Sequence, residues 1–314
     1  KMNLHQLRFV REAVRQNFNL TEAAKALFTS QPGVSKAIIE LEDELGVDIF
    51  RRHGKRIRGL TEPGRMILNS IELIMQEVDD LKRIGKEYAA QDSGSLTVAA
   101  THTQARYFLP KIIPDFIQKY PKVRLSLLQR KADDIAEMVL LDQANLAVVT
   151  DYVAEQDGLI TLPCNQWEFH LVVKPDHPLN DVKMLTLAEI AKYPLITYDK
   201  IFYGRSRIEN IFHQRNVKPD ILLEVIDADV IKTYVELGLG VGIIVGMAFN
   251  PEQDKNLRSI PVGHLFGTGR SSILVRKNAY LRGYIYAFIE MISPNLNRKL
   301  VEKALLDETA TYEL

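Results

Sequence analysis

Thr101, His102, Thr103 and Gln104 put four hydrogen-bonding side chains in succession. They stand where an alternating apolar run at 96–100 gives way to a helical run through Leu109, Ile112, Ile113, Phe116 and Ile117. Two chemistries fit such a junction. Hydroxyl oxygens near a helix start can satisfy its orphan backbone N–H groups and act only as a cap. The carboxyl end of a strand in an α/β fold is also where ligands bind, with N–H groups and the helix dipole directed at an anion. The residues alone leave both open.

A second set lies toward the amino end. "TSQPG" at 29–33 makes a tight corner in which Ser30 can cap a helix that carries Pro32 in its first turn. Gln31, Ser35 and Lys36 follow on that helix. In a major groove Gln can read adenine, Ser either partner, and Lys guanine or a phosphate. Most polar residues at such positions are only a solvated face. Residues 51–58 weigh against that reading, because they hold Arg51, Arg52, Lys55, Arg56 and Arg58 around Gly54, five cations in eight residues. A basic turn between two strand-like edges, directly after paired helices, has the form of a wing that reaches a phosphate backbone or a minor groove.

Enzyme chemistry finds little support. "GLGVG" at 238–242 looks like a dinucleotide loop, but its glycines close a helix and open a strand, and Ile243 stands where the third glycine is required. Cys164 and His170 could pair as nucleophile and base, yet nothing orients them, and a lone Cys is more often inert core. There is no HExxH, P-loop or His/Cys cluster, so no catalytic residue, metal or cofactor is expected.

These residues need a scaffold. With 314 residues, 46% of them hydrophobic, the chain can bury a sizeable core and form two or three domains. Its 40 Lys+Arg balance 40 Asp+Glu, so the chain as a whole lacks the charge of a nucleic-acid binder. The balance is uneven: residues 1–60 hold 11 cations and 7 anions, a net of +4, which leaves −4 on the remainder. A basic head on an acidic body bears on the choice of partner. Cys164 has no second cysteine to pair with, which fits a reducing compartment. No run of about 18 apolar residues occurs and no signal peptide precedes the first helix, so a soluble, cytoplasmic chain without membrane contact is expected.

Leu4, Leu7, Val10 and Val14 recur at helical spacing, and Ala23, Ala24 and Leu27 line a short second helix at 21–28 that Asn19 or Thr21 can cap. Val34, Ile38, Leu41 and Leu45 share a face of the third helix, which stops at Gly46. Two short helices joined by a brief turn form a helix-turn-helix, whose second member lies in the major groove. From 62 to 91 no proline follows Pro63, and Ile67, Ile71, Ile74, Val78 and Leu81 recur at spacings of four, three, four and three. That 3.5-residue period is the narrow seam of a two-helix pairing, here on a rod of about 45 Å. A dimerising linker is the expectation, with "QDSGS" at 91–95 as its hinge.

Beyond the hinge, strands and helices alternate: strand 96–100, helix 105–119, strand 123–129, helix 133–141 and strand 145–149. A second series follows with strands 167–173 and 194–198, helix 205–215, strand 221–226, helix 227–237 and strand 241–245. Such alternation argues an α/β sheet of mostly parallel strands. Two series make two lobes that meet at a cleft, and "SSILVRK" with helix 280–292 can return to the first lobe.

"LTEAAKALFTSQPGVSKAIIELEDELGVDIFRR", followed by "LTEPG", resembles the N-terminal domain of the LysR-type transcriptional regulators almost without gaps from 4 to 64. "ATHTQARYFLP", "LPCNQW", "PLITY" before "GRS", and "DADVIKTYVELGLGVGI" resemble the CysB/Cbl branch of that family, the regulators of cysteine biosynthesis and sulfur assimilation. The resemblance implies a winged helix-turn-helix at 2–61, a dimerising linker helix at 62–92 and a two-lobed, α/β effector domain at 93–314 similar to periplasmic binding proteins. Lobe I would take about 93–164 and 269–293, and lobe II about 165–268. It further implies a homotetramer on double-stranded promoter DNA, a regulator rather than an enzyme, with RNA polymerase as a further partner.

The family's DNA contacts carry over to Ser30, Gln31, Pro32, Ser35 and Lys36 on the helix and to Arg51, Arg52, Lys55 and Arg56 on the wing. In this branch the cleft binds small anions or acylated serines, so the resemblance implies sulfate, thiosulfate or an acetylserine-like effector. Its contacts would be Thr101, Thr103, Gln104, Thr150, Trp167 and Tyr203. Tyr203 stands where the branch usually has Thr, and Arg130-Lys131-Ala132 where it usually has Gly-Ser-Pro. A bulkier ring and two added cations leave the effector's identity open. Lys36 replaces an Arg common in the wider family, which disfavours a bidentate guanine contact. A regulator of another pathway, such as organosulfur or aromatic-acid use, is the alternative.

Overall fold

A computed structural model describes residues 1–90, 92–151 and 156–306. It divides into two compact units, Lys1–Gly85 and Lys86–Leu314.

In the first unit α1 (Leu4–Arg15), α2 (Leu20–Ala26) and α3 (Gln31–Leu45) pack around Leu7, Val10, Ala24, Val34, Ile38 and Leu41. Local capping explains where they start. Asn3 and Gln6 form a capping box, Asn19 accepts from the N–H groups of Thr21 and Glu22, and Ser30 accepts from Gly33. α3 ends at Gly46, whose φ of 71° suits a residue without a Cβ. α2 is shorter than the 21–28 read from the sequence: it stops at Ala26, and Phe28 turns into a left-handed backbone with φ 53°. β1 (Phe50–His53) and β2 (Arg56–Leu60) pair antiparallel as the wing.

α4 (Glu62–Ala89) is the long linker helix, and its apolar stripe is only partly exposed. Ile71 and Met75 are buried in the head's own core with Ile67 packed against it, whereas Ile74 is 41% and Leu81 68% exposed. At about 100° per residue, Ile67, Ile74, Val78 and Leu81 lie within about 60° of one another along one stripe, with Ile71 and Met75 on one flank of it. The flank with Ile71 and Met75 packs into the head, and the flank with Ile74 and Leu81 is exposed.

The second unit opens with β3 (Gly94–Ala100), α5 (Ile113–Lys119), β4 (Val123–Gln129), α6 (Ala132–Leu140) and β5 (Leu146–Val149). β6 (Leu159–Val173), α7 (Leu187–Ile190), β7 (Pro194–Tyr198), α8 (Tyr203–Gln214), β8 (Asp220–Val225), α9 (Ala228–Glu236) and β9 (Val241–Val245) follow. β10 (Arg258–Pro261), α10 (Gly263–Phe266), β11 (Thr268–Arg276), α11 (Gly283–Ile292) and α12 (Arg298–Leu306) complete it. Gln91 of the expected hinge lies outside the described residues, and Gly94 and Ser95 already belong to β3.

The strand order is β4-β3-β5-β11-β6-β9-β7-β8, with β10 beside β6. β4, β3 and β5 run parallel in one lobe, and β8, β7 and β9 in the other. The antiparallel strands β6 and β11 join the two. β6 is much longer than the expected 167–173. Pro163, a residue that argues against a strand, sits inside it opposite Ser272 of β11.

The expected helix 105–119 is also not continuous. The N–H of Leu109 bonds the carbonyl of Gln104, five residues back, a 3-10 turn follows at Leu109–Lys111, and only then does α5 begin. Pro110 and Pro114 lack the N–H groups an unbroken α-helix would use. α12, absent from the sequence reading, lays Val301, Ala304 and Leu305 on the core of the first lobe. No described helix is long and apolar enough to cross a membrane.

Candidate functional site

In the head, Ser30, Gln31, Pro32 and Lys36 are exposed and Ser35 is half-buried. Gln31 shares a polar cavity of about 570 Å³ with Asn17, Asn19, Thr21 and the wing residues Lys55, Arg56 and Arg58. The start of α3 and the wing thus converge on one groove. Lys36 lies 3.7 Å from Glu40 with both side chains exposed, a weak pair that leaves the ammonium available. Arg51 is exposed over Gly59.

Arg52 also has a partner within the head. Its guanidinium lies 2.8 Å from Glu42, whose side chain is only 6% exposed. The same carboxylate accepts the N–H groups of Ile49 and Phe50 at 3.1 and 3.2 Å. Arg52 therefore neutralises a buried acid that ties α3 to β1. The residue itself stays exposed on the wing.

In the second unit the parallel strands of both lobes end at one cleft, and a cavity of about 270 Å³ opens there. Its walls are the segments after each strand: Thr101, His102 and Thr103 after β3, Arg130 and Lys131 after β4, Thr150 and Asp151 after β5, Phe202 and Tyr203 after β7, and Ile226 and Asp227 after β8. Tyr198 and Phe202 stack at 4.2 Å on the apolar side.

Four of the six expected effector residues line this cavity: Thr101, Thr103, Thr150 and Tyr203. The Thr101 hydroxyl accepts the Thr150 N–H at 3.2 Å and lies 3.1 Å from the Thr150 hydroxyl. Thr103 is buried in the first turn and its side chain makes no cap hydrogen bond. Tyr203 opens α8, and its hydroxyl donates to Asp133 of α6 across the cleft.

Gln104 and Trp167 stand behind the wall instead. Gln104 is fully buried and donates to Ser271 at 2.8 Å and to the Thr150 hydroxyl at 3.2 Å. The Trp167 indole donates to the Thr150 carbonyl at 2.8 Å. Gly269 makes room for that ring, since a Cβ there would lie 2.2 Å from it. Both residues hold Thr150 in place.

His102 carries the contact between lobes that the residue pattern did not reveal. One ring nitrogen lies 2.6 Å from Asp229 of α9 and the other 2.9 Å from the Gln129 amide. Tyr107 also donates to Asp229, and Lys232 reaches Tyr107 at 2.7 Å and Asp254 at 3.0 Å. The hydrogen bond to Asp229 raises the His102 imidazole above its ordinary value, against burial. Burial pushes the Asp229 carboxyl up, but hydrogen bonds from His102 and Tyr107 and the Lys232 charge outweigh it and hold it well below the usual range.

His102, Asp227 and Asp229 bring ligand atoms within 4.8 Å of one another, the spacing of a metal site. Those atoms are already engaged by each other, by Tyr107, and by the Val230 N–H that Asp227 caps. The group is built as a strut. Nor do Cys164 and His170 form a nucleophile and base. Burial pushes the thiol up to about 12, the opposite of activation, and His170 bonds Ser259 at 2.6 Å.

Ile226 and Asp227 were not among the expected contacts, and Arg130 and Lys131 were expected only as added cations near the cleft. A signal for them existed: each follows the carboxyl end of a parallel strand, where α/β folds gather their ligand groups.

Comparison with known proteins agrees with both halves. The bacterial regulatory helix-turn-helix, lysR family, matches residues 4–65, and the LysR substrate binding domain matches residues 89–297. The chain is 63% identical over 313 residues to the HTH-type transcriptional regulator CysB of Burkholderia cenocepacia, covering 100% of each. It is 51% identical to the HTH-type transcriptional regulator SsuR of the same organism, over 94% of this chain and 96% of that one. The crystal structure of the cofactor-binding domain of the Cbl transcriptional regulator superposes with a TM-score of 0.65 at 36% identity, covering 69% of this chain and 95% of that one. With both domains matched and this identity along its length, the chain belongs to the LysR family of bacterial helix-turn-helix transcriptional regulators, in the CysB/Cbl branch.

Proposed function

We propose that this regulator controls genes of sulfur assimilation and cysteine biosynthesis in response to a small anionic or acylserine-type effector held between its lobes. The observation that supports it most is the trio of hydroxyls on Thr101, Thr103 and Thr150 at one cavity, at the ends of neighbouring parallel strands. Neutral donors beside a helix start bind an oxyanion without trapping it behind a fixed counter-charge. Arg130 and Lys131 add positive potential at the rim. Gln31, Ser35, Lys36, Arg51, Lys55 and Arg56 are the residues that read promoter DNA in this proposal, with Ser30 and Pro32 shaping the helix start. The regulator acts in the cytoplasm as a homotetramer, paired through the outward face of α4, and works with RNA polymerase.

Calorimetric titration with sulfate, thiosulfate, O-acetylserine, N-acetylserine and adenylyl sulfate, alongside a genomic footprint of bound promoters, tests this. At least one ligand should bind, and the footprint should fall on sulfur genes. If none of them binds and the footprint lies elsewhere, the reading is wrong. One observation favours a second reading, a regulator of organosulfur or aromatic-acid use. The stacked Tyr198 and Phe202 give the cavity an apolar side that a bare oxyanion would not use.

A further inference from the structure

Phe28 breaks two folding rules at one position. At the end of α2 the Thr29 N–H bonds the Ala24 carbonyl at 3.0 Å and the Phe28 N–H bonds the Lys25 carbonyl at 3.2 Å. This is the Schellman pattern, whose left-handed residue is ordinarily Gly or Asn. Here it is Phe at φ 53°, and the residue is 98% exposed. A side chain in that backbone region carries a steric cost that Gly avoids. Elsewhere the head turns its aromatic rings inward, as where Phe18 meets Phe50 edge-on. Neither backbone preference nor packing accounts for an exposed ring at Phe28, and such local violations are expected where a residue serves function.

Its surroundings name the partner. Residues 28–32 are exposed in succession, and Phe28 stands three positions before Gln31, the first residue of α3. Gln31 in turn borders the groove that holds Lys55, Arg56 and Arg58. An exposed apolar ring three residues from the border of a cationic groove fits a polyanion that also offers apolar groups. In duplex DNA that group is the thymine 5-methyl, which projects into the major groove and is read by apolar contact, Phe included.

We propose that Phe28 is a further specificity residue for DNA, its ring packing on a thymine 5-methyl group at the edge of the groove that α3 enters. The proposal rests on the reading of α3 as the recognition helix. A second protein chain docking on Phe28 is the competing explanation, and the test separates them.

Full-length parent, Phe28→Gly and Gln31→Ala are titrated by fluorescence anisotropy against one operator fragment recovered by footprinting. The fragment is amplified with either thymidine or deoxyuridine triphosphate, which retains or removes every 5-methyl group. The parent should bind the uracil operator roughly fourfold more weakly, the worth of about one methyl-sized burial. Phe28→Gly should bind the thymine operator more weakly by a similar factor, lose that thymine preference, and melt no lower than the parent. Gln31→Ala should weaken binding on both fragments while keeping the preference. Phe28→Gly binding the thymine operator as tightly as the parent overturns the proposal. So does Phe28→Gly retaining the full thymine preference, which would assign the ring to the sugar-phosphate edge or to a protein chain. If Gln31→Ala leaves operator binding untouched, it is the reading of α3 that fails.

Discussion

Thr103→Val separates a ligand-binding hydroxyl from one that supports the fold. Thr103 is 6% exposed, its side chain lines the cavity, and it makes no cap bond to the turn it begins. Valine keeps the shape and removes only the hydroxyl. In the ligand-free protein no side-chain cap bond is lost, so the melting temperature should hold within the roughly 0.5 kcal/mol typical of substitutions away from stabilising features. With an oxyanion bound, one ligand oxygen is left desolvated and unpaired at about 1–3 kcal/mol, or roughly 5- to 150-fold in Kd. Thr150→Val provides the contrast. Its hydroxyl engages both Thr101 and Gln104, so the variant should lose about 1 kcal/mol of stability for each buried bond broken. Calorimetry with each oxyanion or acetylserine that binds the parent measures the first quantity, and thermal melts measure the second. Equal affinity in Thr103→Val and parent for all those ligands would refute the assignment. A melting loss as large as that of Thr150→Val would refute the view that the hydroxyl is held for a ligand.

Arg52→Ala should strip the partner from the buried Glu42 and cost the head about 2 kcal/mol, between the values for exposed and buried pairs. Lys55→Ala should leave melting unchanged and reduce the salt dependence of DNA binding by about one unit of slope; the reverse pattern would exchange their roles. His102 has a raised pKa in the folded protein, so its contribution is complete below about pH 6.5 and is lost as pH climbs through the raised value. The melting gap between parent and His102→Gln should accordingly narrow as pH rises above about 6.5 through the raised value, and a gap that widens would reverse the sign of the coupling. On α4, Ile74→Asp should dissociate the oligomer in light scattering without melting the head. Met75→Ala, at 1% exposure, should cost the head about 2–5 kcal/mol and leave association alone.

The head was legible almost whole because its signals are local. Asn19, Ser30 and Gly46 act on N–H and carbonyl groups within four residues, and the apolar periods of α1 and α3 face a core those helices make themselves. The threonine cluster was legible for the same reason: a strand's end and a helix's start adjoin in sequence, and ligand groups collect at such junctions. α2 ran short and β6 ran long where tertiary context overrode local preference. Phe28 occupies a turn that favours Gly, and Pro163 is accommodated in the stretch of β6 that pairs with β11, ahead of the stretch at 169–172 that pairs with β9.

By itself the sequence determined the winged helix-turn-helix, the long linker helix, the two-lobed α/β body and the junction that bears Thr101 and Thr103. Tertiary structure alone decided what each side chain there does. His102 meets Asp229 across 127 positions, Tyr203 meets Asp133 across 70, and Gln104 finds Ser271 across 167. Arg52 became the counter-ion of a buried Glu42 because that carboxylate comes to lie beside it, and Ile71 is buried where Ile74 is exposed because three residues on a helix stop about 60° short of a full turn. Periodicity and capping are written within a few residues of chain. The role of a polar group in a cleft depends on which distant atoms arrive beside it, and no local pattern records that.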